Sequence, residues 1–348
     1  MIYILLITII LIIIILGTLE NNNIYIIIIA FILIFIAGFR YGVGRDYQYY
    51  MEVYESIPDG VYIGVNEPGY ILFVDIIKKL KGTQQLVFLL FSVFTVILNF
   101  YFIKKYSNII YLSILIYICL GPLYLSSFNQ VRQYLAIGIF LYSIKFIIDK
   151  KLLKYIMLLL FSSFFVHFTT ILLIPLYFFL NKQVRVKYKF IVLTLYIISI
   201  PVLEFIIMNS PYSYFIIRRM DVEYDKTLIF LQIFLSFVFL IIESKFINKF
   251  NKLFFNMNFI SLLLLLPILL NSNLPFEVFH RMNNYFFPYI MILLPILIVK
   301  IQPIQARVII YSLFILFLII YYTRNTVVIG RQHDMAPYKF NFQLIKEQ

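Results

Sequence analysis

Arginine and lysine occupy different connections of this 348-residue chain, and their separation indicates where chemistry takes place. Lysine is a hydrated point charge, whereas the planar guanidinium of arginine can bind a phosphate through two parallel hydrogen bonds. The lysines gather in short segments between apolar runs, and most arginines lie in the connections that alternate with those segments. These arginines are Arg40, Arg45, Arg132, Arg218, Arg219, Arg281, Arg324 and Arg331. We therefore expect their connections to face away from the lysines and to bind an anionic ligand.

The first arginine-bearing connection combines two guanidiniums with a carboxylate. Arg40 and Arg45 are separated by a segment with two glycines, which allow tight backbone turns. Asp46 follows as a candidate base, and the ring of Tyr47 suits either the membrane interface or stacking on a sugar. The pattern predicts an anion-binding loop. A simpler alternative is an interfacial aromatic belt whose arginines extend to the head groups.

A second arginine stands in the first turn of a predicted helix. The helix dipole disfavours a cation at that position, so Arg132 needs an explanation. A phosphate bound jointly by the helix N-terminus and the guanidinium provides one. We place Arg132 and the adjacent Gln133 in the substrate site. The alternative is an arginine that only extends to the membrane surface.

The remaining candidates surround two histidines. His167 lies in an apolar stretch without a charged neighbour in sequence, which favours a core role unless a bend exposes it to a cavity. Glu277, His280 and Arg281 place an acid, an imidazole and a guanidinium within five residues, with Tyr285 just beyond. The predicted catalytic residues are Asp46, His167, Glu277 and His280. The predicted substrate-binding residues are Arg40, Arg45, Tyr47, Arg132, Gln133, Arg281 and Tyr285. The sequence has no metal-ligand spacing, and we expect no cofactor.

These residues must be positioned by membrane helices. The chain is 63% hydrophobic and only 13% charged, and apolar runs long enough to cross a bilayer recur along it. We predict an all-α polytopic membrane protein of about 10–12 transmembrane helices with short loops, forming a single transmembrane domain over 1–348. The net charge of +13 is attributed to basic loops that face anionic lipid, so no nucleic-acid partner is expected. The run from Ile2 to Leu16 is interpreted as a retained first span.

Apolar runs and the charges between them predict individual spans and sides. The predicted spans are 2–19, 24–39, 84–103, 109–125, 131–148, 190–208, 228–242, 253–270, 285–299 and 307–323. Lysine-bearing connections are assigned to the cytoplasm. The outward segments are then loops near 40–83, 126–130, 209–227 and 271–284 and the tail 324–348. We expect 68–80 to be interfacial or re-entrant, and 155–180 to form two half-helices bent near His167.

Four short motifs, ordered along the chain, resemble those of a known family. They are RYGVGRDY from Arg40 to Tyr47, EPGY from Glu67 to Tyr70, VRQYLA from Val131 to Ala136 and FVHF from Phe165 to Phe168. Together they resemble the EpsG-like branch of the Wzy-type polysaccharide and O-antigen polymerases. One departure is that the late outer loops are short, whereas many such polymerases carry a large one.

The resemblance implies a function and a place in the cell. It implies a glycosyltransferase with a GT-C-like membrane architecture that joins undecaprenyl-diphosphate-linked repeat units, in O-antigen or exopolysaccharide biosynthesis. The donor and the acceptor would both be lipid-linked glycans, and a chain-length regulator would be a further partner. The protein would be a multi-pass protein of the bacterial inner membrane with its active site facing the periplasm. The transfer would be metal-independent.

Three other functions remain open from sequence. A lipid-linked oligosaccharide flippase would need polar residues near mid-membrane, and few are present beyond Lys145, Glu204 and His167. A membrane O-acyltransferase could use His167 as its base, although no acid stands beside it in sequence. An O-antigen ligase would share the donor site of a polymerase and differ only in its acceptor.

Overall fold

The structure, a computed structural model, describes residues 2–57, 67–209, 226–247, 251–270, 276–328 and 337–345. Almost all regular structure in these segments is helical, which confirms the all-α fold. The helices, in chain order, are α1 Ile2–Glu20, α2 Ile24–Gly38, α3 Tyr47–Ser56, α4 Pro68–Lys79, α5 Gln84–Tyr106, α6 Ile110–Cys119, α7 Val131–Ile148, α8 Leu152–Phe165, α9 Leu176–Leu180, α10 Val186–Met208, α11 Lys226–Phe246, α12 Lys252–Leu269, α13 Phe276–Phe286, α14 Ile290–Val299 and α15 Ile304–Thr323.

The helix lengths confirm a polytopic membrane protein. Within the described residues, eight helical segments are long and apolar enough to cross a membrane. They are Ile2–Glu20, Gln84–Tyr106, Val131–Ile148, Val186–Ile206, Leu228–Phe246, Lys252–Leu269, Glu277–Val299 and Ile304–Val327. Three shorter apolar helices, α2, α6 and α8, accompany them.

Two predicted spans differ from the helices observed. The span predicted at 109–125 is a helix only to Cys119, after which the chain turns into a 3-10 helix at Leu125–Phe128. The span predicted at 285–299 begins earlier, because α13 already starts at Phe276. The polar residues of α13 alternate with apolar ones at helical spacing, which lowers the mean hydropathy of this segment. Mean hydropathy alone therefore did not mark the segment as a membrane helix. Residues 276–284 of the predicted outward loop are therefore helical, the side that they face remains a prediction, and 271–275 lie outside the described residues.

The bend predicted near His167 is confirmed. Helix α8 ends at Phe165, and His167 has an extended backbone, with φ −158° and ψ 120°. A 3-10 helix at Phe168–Leu173 and the short α9 follow. The Ser162 carbonyl accepts hydrogen bonds from the N–H groups of both Val166 and His167, which closes the last turn of α8. The bend leaves the imidazole at the end of a helix and not in the middle of one.

The chain divides into two compact units, Met1–Pro175 with Leu294–Gln348 and Leu176–Leu293. In the first unit, α5 packs against α2 and α7. Two glycines allow this approach, because a Cβ on Gly38 would lie 2.7 Å from Leu89 and one on Gly138 would lie 3.1 Å from Leu98. The second unit has its own apolar core between α10, α11 and α12, which includes Leu240. A single transmembrane domain remains a prediction.

The C-terminal segment 337–345 holds the first long connection. Its strand β2, Lys339–Phe340, pairs antiparallel with β1, Arg40–Tyr41, and Arg40 lies opposite Phe340. Further along, Thr83 N–H donates to the Leu344 carbonyl at 2.9 Å, just before α5. Both ends of the connection between α2 and α5 are thus attached to the tail, and this connection carries the first candidate residues.

Candidate functional site

Three ionisable side chains meet where α4, α7 and the bend after α8 come together. The Glu67 carboxylate lies between Arg132, with Oε2 2.5 Å from Nη1, and His167, with Oε1 3.1 Å from Nδ1. The Phe168 N–H also donates to Oε1, at 3.0 Å. The sequence distances involved, 65 and 100 residues, make this a tertiary cluster. We call these three residues the Glu67 cluster.

Local sequence explains why the cluster forms. Glu67 precedes Pro68, whose fixed φ suits the first position of α4, so the carboxylate stands at a helix start. Arg132 is in the first turn of α7, as predicted. Helix α4 packs against α8, and Gly69 allows close contact, since a Cβ there would lie 2.5 Å from the Phe165 ring.

The protonation state of Glu67 follows from its neighbours. Burial acts to raise the pKa of its carboxyl, but the hydrogen bond with His167, the positive charge of Arg132 and the Phe168 N–H outweigh burial and lower the pKa to about 2. The ionised carboxylate can only accept hydrogen bonds, so Nδ1 of His167 must carry the proton. In the neutral form of the imidazole, Nε2 is then the acceptor. The imidazole side chain is 20% exposed and the Glu67 side chain 5%, so of these two the imidazole is the more accessible to a substrate.

The Arg132 guanidinium retains unused hydrogen-bonding capacity. It lies 5.0 Å from the centroid of the Tyr70 ring, within cation–π range. Its Nε atom is buried and has no hydrogen-bond partner in the described part of the chain. A buried donor without a partner is unfavourable, and an oxygen of a bound phosphate would satisfy it. The geometry therefore suits the predicted anion-binding role of Arg132.

Arg40 uses its guanidinium inside the protein. The residue is 1% exposed and lies over the Phe88 ring, 4.4 Å from its centroid. Nε donates to the Val43 carbonyl and Nη2 to the Phe128 carbonyl, each at 3.2 Å, and Nη1 donates to the Ala37 carbonyl. This arrangement favours a structural role, in which Arg40 joins the first connection to the turn before α7. Its role in diphosphate binding remains a prediction.

The other candidates of the first connection lie near the contact between this connection and the turn before α7. Arg45 is exposed, and its N–H donates to Asn129 Oδ1 at 2.8 Å. Asp46 is half-buried at the start of α3. The Tyr47 ring is buried and stacks on Phe88 with centroids 5.2 Å apart, which leaves little of it for a sugar. Gln133 is buried beside Arg132.

The candidates near the second histidine all lie on α13, in the second compact unit. Arg281 Nη2 contacts Glu277 Oε1 at 2.5 Å, one turn away on the same helix. His280 is half-buried, and Tyr285 is fully buried. Convergence of Arg281 with the arginines of the first unit remains a prediction. Arg218, Arg219 and Arg331 lie outside the described residues.

Sequence reasoning missed Glu67 as a site residue. Its motif contributed to the family resemblance, but no role was assigned to its carboxylate. The available signal was an acid directly before a helix-starting proline in a segment predicted to lie at the membrane interface. Among the described residues, no group of three or more histidine, cysteine, aspartate or glutamate side chains could hold a metal ion.

Comparison with known proteins identifies the family. No curated protein and no solved structure matches the chain. A GT-C-like architecture therefore remains a prediction. The model of the EpsG family matches residues 23–340, nearly the whole chain, and this range includes the four motifs and all three residues of the Glu67 cluster. The chain belongs to the EpsG family.

Proposed function

We propose that this protein is a glycan polymerase that transfers a growing glycan from a polyprenyl diphosphate to the next lipid-linked repeat unit. Its family supports a polysaccharide polymerase role, because EpsG-like proteins are Wzy-type polymerases. The Glu67 cluster is the observation that carries the proposal, since it combines a guanidinium for the diphosphate with an imidazole that is oriented by a carboxylate. Undecaprenyl as the lipid and the periplasmic face of the bacterial inner membrane as the location are parts of the proposal.

The proposed reaction exchanges one C–O bond for another. The bond between the anomeric carbon of the donor glycan and its phosphate oxygen breaks, and the electron pair leaves with the diphosphate. A hydroxyl oxygen of the acceptor sugar forms the new bond to that carbon, and its proton passes to Nε2 of His167. Glu67 accepts the Nδ1 hydrogen bond, which fixes the tautomer and stabilises the imidazolium.

In this reaction, Arg132 stabilises the negative charge of the leaving diphosphate. Negative charge grows on the diphosphate as the bond breaks, and a desolvated guanidinium stabilises that charge more in the transition state than in the ground state. Arg45 is exposed on the connection that packs beside α7, where it is the second candidate for the diphosphate. Asp46, Glu277 and His280 remain alternative bases, and Arg281 and Tyr285 remain proposed contacts of the diphosphate or the sugar. A chain-length regulator is the proposed partner.

The test compares glycans in cells with matched variants. We expect His167→Ala to leave single, unextended repeat units at normal protein abundance, and Glu67→Gln to leave them at an abundance that is lowered by the loss of the ion pair with Arg132. Lys104→Ala, an exposed position at the end of α5, should leave the glycan profile unchanged. Loss of all transferred repeat units would indicate a flippase or a ligase instead. Unchanged chain length in both cluster variants would contradict the proposed function.

A further inference from the structure

An apolar cavity in the second compact unit lies next to a basic segment. The cavity has a volume of about 260 Å³. Its apolar lining consists of Leu176, Phe179, Val192, Phe259, Ile260 and Leu263, together with Val184. The lining includes Val192 of α10, which is 46% exposed, so the cavity opens to the surface at this side chain. Such a groove can accept a hydrocarbon chain.

One lysine lines the cavity without making it polar. Lys189 is fully buried, and its ammonium contacts both carboxylate oxygens of Glu243, at 2.8 and 2.9 Å. The ion pair neutralises the charge, so the alkyl stem of the lysine faces the cavity. The interior of this site therefore offers no free charge to a ligand, and head-group recognition must come from its rim.

The connection that contributes Val184 to the lining, which we call the rim, carries three exposed cations without an acid between them. Lys182, Arg185 and Lys187 flank Val184 in sequence, and all three are exposed. The connection is held in place by Asn256, which is 1% exposed. Its Nδ2 donates to the carbonyls of Phe179, Leu180 and Lys182 at 3.3, 3.1 and 2.7 Å. A buried amide that binds carbonyls within four consecutive residues fixes the start of this connection, so the rim is a built feature.

We infer that this groove binds an anionic phospholipid, with one acyl chain in the cavity and its phosphate at Lys182, Arg185 and Lys187. A basic rim above an apolar groove between membrane helices has the chemistry of an anionic head-group site. A phospholipid fits better than the polyprenyl diphosphate of the proposed reaction, because this lysine-bearing connection is predicted to face the cytoplasm, away from the proposed transfer site.

The experiment measures which lipid stays bound. The purified full-length protein is exposed to equal amounts of phosphatidylglycerol, phosphatidylethanolamine and undecaprenyl phosphate in detergent, and bound lipid is identified by native mass spectrometry. We expect retention of phosphatidylglycerol. The triple variant Lys182→Gln, Arg185→Gln, Lys187→Gln should bind it roughly 100-fold more weakly, since each cation near an anionic head group contributes roughly a factor of five.

Two further variants separate binding from folding. Val192→Phe, at an exposed position, should fill the mouth of the cavity and also release phosphatidylglycerol. The control Lys104→Gln, Lys105→Gln, Lys150→Gln removes three exposed lysines elsewhere and should retain it. Circular dichroism and size-exclusion chromatography check that each variant is folded. The inference is overturned if either site variant retains phosphatidylglycerol, if phosphatidylethanolamine binds equally well, or if undecaprenyl phosphate takes its place.

Discussion

At the scale of single residues, the structure separates arginines that look alike in sequence. Arg40 donates to three backbone carbonyls, whereas Arg132 contacts one carboxylate and keeps a buried Nε without a partner in the described residues. The first arrangement holds a loop, and the second can still bind an anion. Because a sequence shows neither burial nor hydrogen-bond partners, all arginines of one face were equally good candidates before the structure.

This difference predicts opposite phenotypes for the two arginines. Arg132→Lys should lower the polymerisation rate almost as much as Arg132→Ala, about 30- to 1000-fold, because lysine loses the two-pronged geometry. Protein abundance should stay near normal for Arg132→Lys, which keeps a positive charge beside Glu67. Arg40→Lys should instead lower abundance and thermal stability, because one ammonium cannot reach three carbonyls. Polymer length and quantitative immunoblots distinguish these outcomes, and full activity of Arg132→Lys would exclude a bidentate contact.

Glu67 predicts a defined pH dependence of stability. Its pKa is lowered to about 2 in the folded protein, below the ordinary value of 4.5, so its stabilising effect is complete above about pH 4.5 and is lost as pH falls toward 2. Glu67→Gln leaves Arg132 without its buried counter-charge and should cost roughly 3–5 kcal/mol near neutral pH. Thermal unfolding in detergent is measured from pH 7 to pH 3 for the unsubstituted protein and for Glu67→Gln. The difference between their unfolding temperatures should be constant down to about pH 4.5 and should become smaller below it. Equal unfolding temperatures of the two proteins at pH 7 would contradict a stabilising ion pair between Glu67 and Arg132.

At the scale of elements, the first connection is shaped by one glycine. Gly44 has φ +104°, and a Cβ there would lie 2.7 Å from the Phe128 carbonyl oxygen, in the turn before α7. Gly44→Ala should therefore separate this connection from α7 and destabilise the protein by roughly 1–3 kcal/mol. Gly121→Ala is the matched control, since a Cβ there would meet nothing closer than 3.8 Å. Unfolding temperatures of the two variants in detergent measure the difference, and equal values would show that the close contact is not needed.

Element by element, the sequence was most informative where hydropathy and charge agree. The spans α5 and α7 and the bend at His167 were predicted close to their observed positions. Helix α13 was missed because its polar residues lower the mean hydropathy while keeping helical spacing. The Glu67 cluster was not predictable as a cluster, because contacts across 65 and 100 residues depend on how the start of α4 meets Arg132 of α7 and the bend after α8.

At the scale of the whole molecule, the lysine and arginine distribution predicts which side each connection faces. Cys119 is buried, and a Cys119→Ser background removes this thiol and gives a reference that the reagent does not label. In that background, Gln48→Cys on α3 should react with an impermeant thiol reagent added to intact cells, and Lys104→Cys should react only after lysis. Both positions are exposed, so protection cannot result from burial. The reverse pattern would place the Glu67 cluster on the cytoplasmic side.

The central claim is that the Glu67 cluster performs glycosyl transfer, and reconstitution tests it most directly. The purified protein in lipid nanodiscs is given a single lipid-linked repeat unit, and products are separated by length on a gel. We predict a ladder from the unsubstituted protein, and loss of at least about 100-fold in its rate of formation for His167→Ala. The folded state and the binding of the lipid-linked unit should be retained. A full ladder from His167→Ala at the same protein concentration would contradict the account.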